Sequence, residues 1–152
     1  MKVETIKDVL EWTQSFHQNL SRCLSHCSNE ATSERSKMLL VYLADHEDHL
    51  SALINDIEKT AKTNALNTWC YEYLDRNPII RHDNCEKPFA DLSIDEIILE
   101  IENLHQHVIG LYRHLNLHCD TPSASVLLKL LENFERHEAM QINHSANRLH
   151  DL

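Results

Sequence analysis

The chain has 152 residues, enough for one domain with a sizeable hydrophobic core. Its formal charge of −10, from 24 acidic against 14 basic residues, repels phosphate backbones and anionic lipids, so neither nucleic acid nor a membrane surface is expected as a partner. One glycine and three prolines are too few for an all-β or loop-rich fold.

Several features of the sequence favour a cytoplasmic protein. No apolar run approaches the ~20 residues that a membrane-spanning helix needs. The opening residues Met1-Lys2-Val3-Glu4 lack the apolar segment of a secretory signal. Five cysteines without a repeating spacing are typical of cytosolic thiols rather than disulfides.

Helical spacing of apolar residues predicts an all-α protein that forms one helical-bundle domain over residues 1–152. The predicted helices span about residues 3–28, 33–63, 93–118 and 122–148. Residues 64–92, which contain Asn77-Pro78 and Lys87-Pro88, lack this spacing. A connection of that length fits a crossover between two antiparallel helical hairpins.

Local signals support the starts of the third and fourth helices. Ser93-Ile94-Asp95-Glu96 has the pattern of a capping box, and Thr121-Pro122 places proline at the first helical position. Gly110 lies inside the third helix, where glycine costs about 1 kcal/mol relative to alanine. Its presence there indicates a neighbouring backbone at close range.

The second helix carries histidines on a stripe of apolar spacing. This predicted core stripe consists of Leu39, Tyr42, His46, His49, Leu53 and Ile57. His46 and His49 are three residues apart and therefore share one face of a helix. The pattern places two imidazoles in the bundle core, which is where helical bundles build metal sites.

The third and fourth helices have similar stripes, and the two halves of the chain resemble each other. The third stripe includes His105, and the fourth consists of Leu127, Leu130, Leu131, Phe134, His137, Gln141 and His144. Residues 39–49 align with 127–137 without gaps, which pairs Glu47 with Glu135 and His49 with His137. The third helix aligned on the first pairs His105 with Thr13. We expect two related helical hairpins.

Two hairpins, a long middle connection and histidine motifs on helices two and four resemble the ferritin-like superfamily, with the rubrerythrin-type members nearest in style. The segments that carry the resemblance are Leu43–Leu50 and Glu100–His105, the latter followed by Leu111-Tyr112. The resemblance implies an up-down four-helix bundle. In its di-iron members two helices carry Glu-x-x-His and the other two each supply a glutamate.

In this register the sequence keeps the two motif histidines, His49 and His137, and replaces the four glutamates. The replacements are His46, Phe134, His105 and Thr13. A slip of one residue would bring Glu47 and Glu135 inward but would turn the apolar stripe outward, so the first register is preferred. Because a di-iron centre needs bridging carboxylates, we expect a mononuclear site instead, built from His46, His49, His105 and His137. Imidazole ligands suit Fe, Zn, Ni or Cu.

Three functions stay open. The first is a divergent ferritin-like metal-binding protein with a metal-dependent redox role. The second is a metal-free structural or interaction protein, in which neutral histidines bond to one another and to buried water. The third is a hemerythrin-like oxygen or iron binder, although the His-x-x-x-Glu element of that family is not evident on the predicted core face. A homodimer is expected, as for many helical bundles.

Overall fold

The computed structural model describes residues 3–70 and 89–150, with His150 described by its backbone alone. The described residues form helices and no strand, so the all-α prediction is confirmed. In chain order the elements are α1 (Ile6–Glu30), α2 (Glu34–Thr60), α3 (Thr63–Leu66), a 3₁₀ turn (Phe89–Asp91), α4 (Ile94–Leu117) and α5 (Pro122–His150). Two antiparallel hairpins, α1 with α2 and α4 with α5, pack into an up-down four-helix bundle.

The long helices begin where polar side chains satisfy their first backbone N–H groups. At α1 the capping is reciprocal: Thr5 Oγ1 accepts from the Asp8 N–H, and Asp8 Oδ2 accepts from the Thr5 N–H at 3.0 Å. Ser33 caps α2, and Ser93 caps α4 as predicted. The α5 helix begins at Pro122, also as predicted.

The chain that leaves α2 turns back along the start of α1. After α3, the backbone N–H of Ile6 donates to the Thr68 carbonyl at 3.0 Å, and the Cys70 N–H donates to the Glu4 carbonyl at 2.8 Å. These bonds form an antiparallel bridge between Thr5 and Trp69. Residues 71–88 of the predicted crossover lie outside the described residues.

On α2 the ends of the predicted stripe, Leu39 and Ile57, are buried as predicted, but the middle of the buried face differs from the prediction. The helix buries Leu43, Glu47, Leu50 and Ile54, each one residue after a member of the predicted stripe. One residue corresponds to a rotation of about 100° around a helix. The rotation is favourable because the face that includes Leu40 and Leu43 buries more aliphatic area than the face with two histidines.

On α5 the buried face is turned in the same way. Its buried residues are Ala124, Leu127, Leu128, Leu131, Glu135, Glu138, Ile142 and Ala146. The predicted core positions Leu130, His137, Gln141 and His144 are exposed, and Phe134 is half-buried. By contrast, α1 and α4 bury the faces on which their apolar residues recur at helical spacing, such as Val9, Leu10 and Phe16 on α1.

The prediction that the cysteines are thiols is wrong for Cys23, which is disulfide-bonded. Among the described residues, Cys27, Cys70 and Cys119 are thiols as predicted. In the part of the chain that the structure describes, every helix is too short or too polar to cross a bilayer. The cytoplasmic location and the homodimer stay predictions.

Gly110 does not approach another backbone as its position in a helix suggested. It is exposed, and a Cβ placed on it would meet nothing within 4 Å. Gly110→Ala should therefore stabilise the protein by about 1 kcal/mol, because alanine has the higher helix propensity and a smaller loss of backbone entropy. Thermal unfolding monitored by circular dichroism should show the midpoint rise by about 2–4 °C. A lower midpoint would contradict the open environment of this residue.

Candidate metal centre

Four buried ionisable side chains, one from each long helix, meet in the middle of the bundle. They are His17 of α1, Glu47 of α2, His105 of α4 and Glu135 of α5, and each side chain is at most 1% exposed. Imidazole and carboxylate alternate around a four-sided circuit, which we call the His–Glu ring. Because ionisable groups are rarely buried without partners, this arrangement marks a specialised site.

The ring is held together by short contacts between imidazole nitrogens and carboxylate oxygens. His17 donates from Nδ1 to Glu47 Oε2 at 2.6 Å and from Nε2 to Glu135 Oε1 at 2.7 Å. His105 donates from Nε2 to Glu47 Oε1 at 2.5 Å. On the fourth side of the circuit, His105 Nδ1 and Glu135 Oε2 are 3.9 Å apart.

The internal repeat of the chain relates the four ring residues in two pairs. The same spacing of 88 residues separates His17 from His105 and Glu47 from Glu135 (105 − 17 and 135 − 47). The predicted alignment of Glu47 with Glu135 therefore agrees with the structure, in which the two glutamates occupy equivalent positions in the ring. The pairing of His105 with Thr13 is wrong by one helical turn, because His17 is the residue that faces the ring from α1.

The imidazoliums and carboxylates of the ring stabilise one another in an interior from which water is excluded. Burial would lower the pKa of His17, but the carboxylates of Glu135 and Glu47 outweigh it and raise the pKa to about 10. Burial also opposes the charged form of His105, whose pKa is raised by Glu47. Although burial alone would raise the pKa of Glu47, the imidazoliums of His105 and His17 hold it well below its usual range. His17 is thus an imidazolium between two carboxylates.

The open side of the circuit has the features of a ligand-binding position. Within the described residues, His105 Nδ1 and Glu135 Oε2 are buried without a hydrogen-bond partner, although each faces the other. Such orphaned polar atoms are costly in a protein interior. A second observation does not involve Glu135: one ligand atom from each of His17, Glu47 and His105 lies within 4.8 Å of the other two, close enough for these three residues to hold a metal ion.

The histidines predicted as ligands are not brought together. His105 belongs to the ring, and His46 is half-buried beside it, with Nδ1 3.0 Å from Glu138 Oε2. His49 and His137 are exposed, and His137 pairs with Gln141 on the surface of α5. The predicted convergence of four imidazoles in the core is therefore wrong, because α2 and α5 turn these residues outward.

The sequence prediction missed three ring members, His17, Glu47 and Glu135. A usable signal exists in each case, namely one ionisable residue inside an otherwise aliphatic stripe. Glu47 interrupts the run from Leu43 to Leu50, and Glu135 occupies the equivalent position on α5. A charge at such a position is unfavourable unless it is paired, and its presence indicates a partner from another helix.

Comparisons with known proteins identify the fold. A scan against protein-family models found no match, and a search of curated proteins found none either. Among solved structures, the chain is similar to a candidate ferritin-like diiron-carboxylate protein from Thermotoga maritima, with a TM-score of 0.58 and 14% identity. The match covers 94% of this chain and 95% of the other. The ferritin-like fold predicted from the sequence is thus confirmed.

Neutralising a single ring carboxylate should destabilise the metal-free protein strongly. Glu47→Gln keeps the shape of the side chain but leaves two buried imidazoliums with one carboxylate fewer, and breaking a buried pair costs about 3–5 kcal/mol. The free energy of unfolding is measured by urea titration in EDTA. Asp48→Asn is the matched control: the same chemical change one residue along, at an exposed position, should cost less than about 0.5 kcal/mol. Equal effects would contradict a paired, buried Glu47.

The stability of the metal-free protein should decrease on both sides of mildly acidic pH. The raised pKa of His17 contributes stability that is full below 6.5, its ordinary value, and is lost as pH rises through about 10. The lowered pKa of Glu47 contributes stability above its ordinary value of 4.5, and this is lost as pH falls. Unfolding free energies across pH, in EDTA, should therefore be highest between these values. His17→Gln should make the alkaline decrease shallower, and an unchanged slope would contradict the ionised ring.

Proposed function

We propose that this protein binds one divalent transition-metal ion at the His–Glu ring. The observation that carries the proposal is the convergence of two imidazoles and two carboxylates from four helices, with His105 Nδ1 and Glu135 Oε2 left facing each other unsatisfied. Imidazole nitrogen and carboxylate oxygen are the protein donors that divalent first-row transition metals commonly use. The bundle supplies them on rigid helices in a water-excluded interior.

Charge favours one ion over two. Two glutamates in the ring carry two negative charges, which two imidazoliums balance when protons occupy the ring. A single divalent ion bound by neutral imidazoles balances the same two charges, so metal replaces protons without adding net charge to the interior. A second divalent ion would leave the ring positively charged where solvent cannot compensate.

The ligand set of ferritin-like di-iron proteins supports the same conclusion. In such proteins two helices carry Glu-x-x-His and the other two each supply a glutamate. Here Glu47 and Glu135 occupy the glutamate positions of that motif, but neither histidine position keeps an imidazole: Leu50 has no ligand atom, and Glu138 pairs with His46. The similarity to a candidate diiron-carboxylate protein favours iron, while the loss of a ligand at Leu50 favours one ion.

A redox role is the finer part of the proposal. Iron in a site of two histidines and a carboxylate changes oxidation state, whereas zinc does not. Around such an ion the chain's own residues have defined tasks: the ring holds the ion and excludes water. Tyr112, fully buried in the field of Glu135, keeps its hydroxyl protonated because burial raises its pKa well above the ordinary value.

The second candidate is a metal-free structural core. It is favoured by the three short hydrogen bonds of the ring, which already satisfy His17 and Glu47 completely. It does not account for the two orphaned atoms on the remaining side.

Metal content of the tag-free protein distinguishes the two candidates. Plasma mass spectrometry should find about one transition-metal ion per chain, and added Fe²⁺ or Zn²⁺ should raise the unfolding temperature of metal-free protein. The double variant His17→Gln, His105→Gln should bring metal content to background, because glutamine retains hydrogen bonding to the carboxylates but is a poor ligand.

The matched control is the double variant His49→Gln, His137→Gln, which removes the same number of imidazoles from exposed positions. It should retain the metal. Equal loss in both variants would overturn the ring as the site. Wild-type protein that contains no metal and shows no thermal shift with Fe²⁺, Zn²⁺, Ni²⁺ or Cu²⁺ would establish the structural core instead.

A further inference from the structure

An ion that binds the ring has to pass through the wall of the bundle, because the ring itself is closed to solvent. Its side chains are no more than 1% exposed, and the buried residues of the described chain are mostly aliphatic. Apolar side chains offer no ligands to a cation that is losing its water shell. A practicable route therefore needs polar side chains that reach from the ring region to the surface.

His46 and Glu138 provide such a connection at the seam between α2 and α5. His46 directly precedes the ring residue Glu47, and Glu138 follows Glu135 by three residues, on the same face of α5. Their side chains are 20% and 10% exposed, and His46 Nδ1 lies 3.0 Å from Glu138 Oε2. The pair is thus more accessible to water than the ring and is close to Glu47 and Glu135 along their helices. The Tyr42 ring is packed 4.6 Å from that of His46.

We propose that the His46–Glu138 pair is an outer metal-binding station through which a divalent cation enters and leaves the His–Glu ring. This inference rests on the proposed metal site. An imidazole and a carboxylate can replace two waters of the ion's hydration shell at the seam. Two ligands are too few to retain the ion. Among the described residues, the group of three potential ligands that could hold an ion consists of the ring residues His17, Glu47 and His105. Weak, temporary binding is what a transit position requires.

The alternative is an ordinary ion pair that only joins two helices. The two roles differ in kinetics. A group that contacts the ion only during transit stabilises one intermediate, which is the same for entry and for exit. Removing it slows uptake and release by the same factor and leaves the dissociation constant unchanged. A residue that binds the resident ion changes the dissociation constant instead.

Stopped-flow measurements with Co²⁺ test the inference. Uptake by metal-free protein is followed through the visible absorption of bound Co²⁺, and release is followed after mixing with excess EDTA. The test variants are Glu138→Gln and His46→Phe, which retain side-chain size. Each should lower both rate constants by about tenfold, with the dissociation constant unchanged within about twofold.

Matched controls separate this effect from a general loss of attraction for cations. Glu132→Gln makes the same change on α5, at a carboxylate that is 14% exposed but pairs with Arg113 and Arg136 on the surface. His49→Phe makes the same change as His46→Phe at an exposed position of α2. Both controls should keep wild-type rates.

The remaining outcomes overturn the inference in distinguishable ways. Unchanged rates in the test variants, with Co²⁺ still bound, would reduce the pair to a structural contact and leave the ring site intact. Faster rates would mean that the pair obstructs the seam. A raised dissociation constant with faster release would make Glu138 or His46 a ligand of the resident ion. Wild-type protein that binds no Co²⁺ would overturn the ring site, and this inference with it.

Discussion

The structure depends on the mutual neutralisation of four buried ionisable side chains. Each carboxylate of the His–Glu ring faces imidazole nitrogens from other helices, so none of the four could be buried at acceptable cost without the others. This constraint fixes the rotation of every long helix about its own axis. It explains why α2 presents Glu47 to the core and leaves the two histidines beside it at the seam or in solvent.

Much of the fold can be predicted from the sequence, because it depends on local rules. Apolar spacing located the four long helices, and the caps at Ser93 and Pro122 marked two of their starts. The spacing of apolar residues also indicates the buried faces of α1 and α4, because neither helix has a second face that is similarly rich in aliphatic residues. The crossover between the hairpins allows no such comparison, because residues 71–88 lie outside the described residues.

The candidate site was harder to predict, because the rotation of a helix with two plausible stripes depends on its partners. On α2 the histidine stripe is preferred because a slip of one residue, which brings Glu47 inward, turns the predicted apolar stripe outward. Burying Glu47 becomes acceptable when an imidazolium from another helix compensates its charge. The repeat contained the missing information. A uniform offset of 88 residues pairs His17 with His105 as well as Glu47 with Glu135, but the first helix was aligned with an offset that differed by one turn.

As the proposed metal site, the ring differs from the di-iron pattern of ferritin-like proteins because histidines stand in place of the glutamates on α1 and α4. This leaves two ring carboxylates, whose charge one divalent ion balances. A crystal structure of metal-loaded protein with anomalous data at the absorption edge of the bound metal tests this account most directly. The account predicts one anomalous peak per chain, about 2.0–2.3 Å from nitrogen and oxygen atoms of the His–Glu ring. Peaks only at surface histidines, or two peaks inside the bundle, would contradict it.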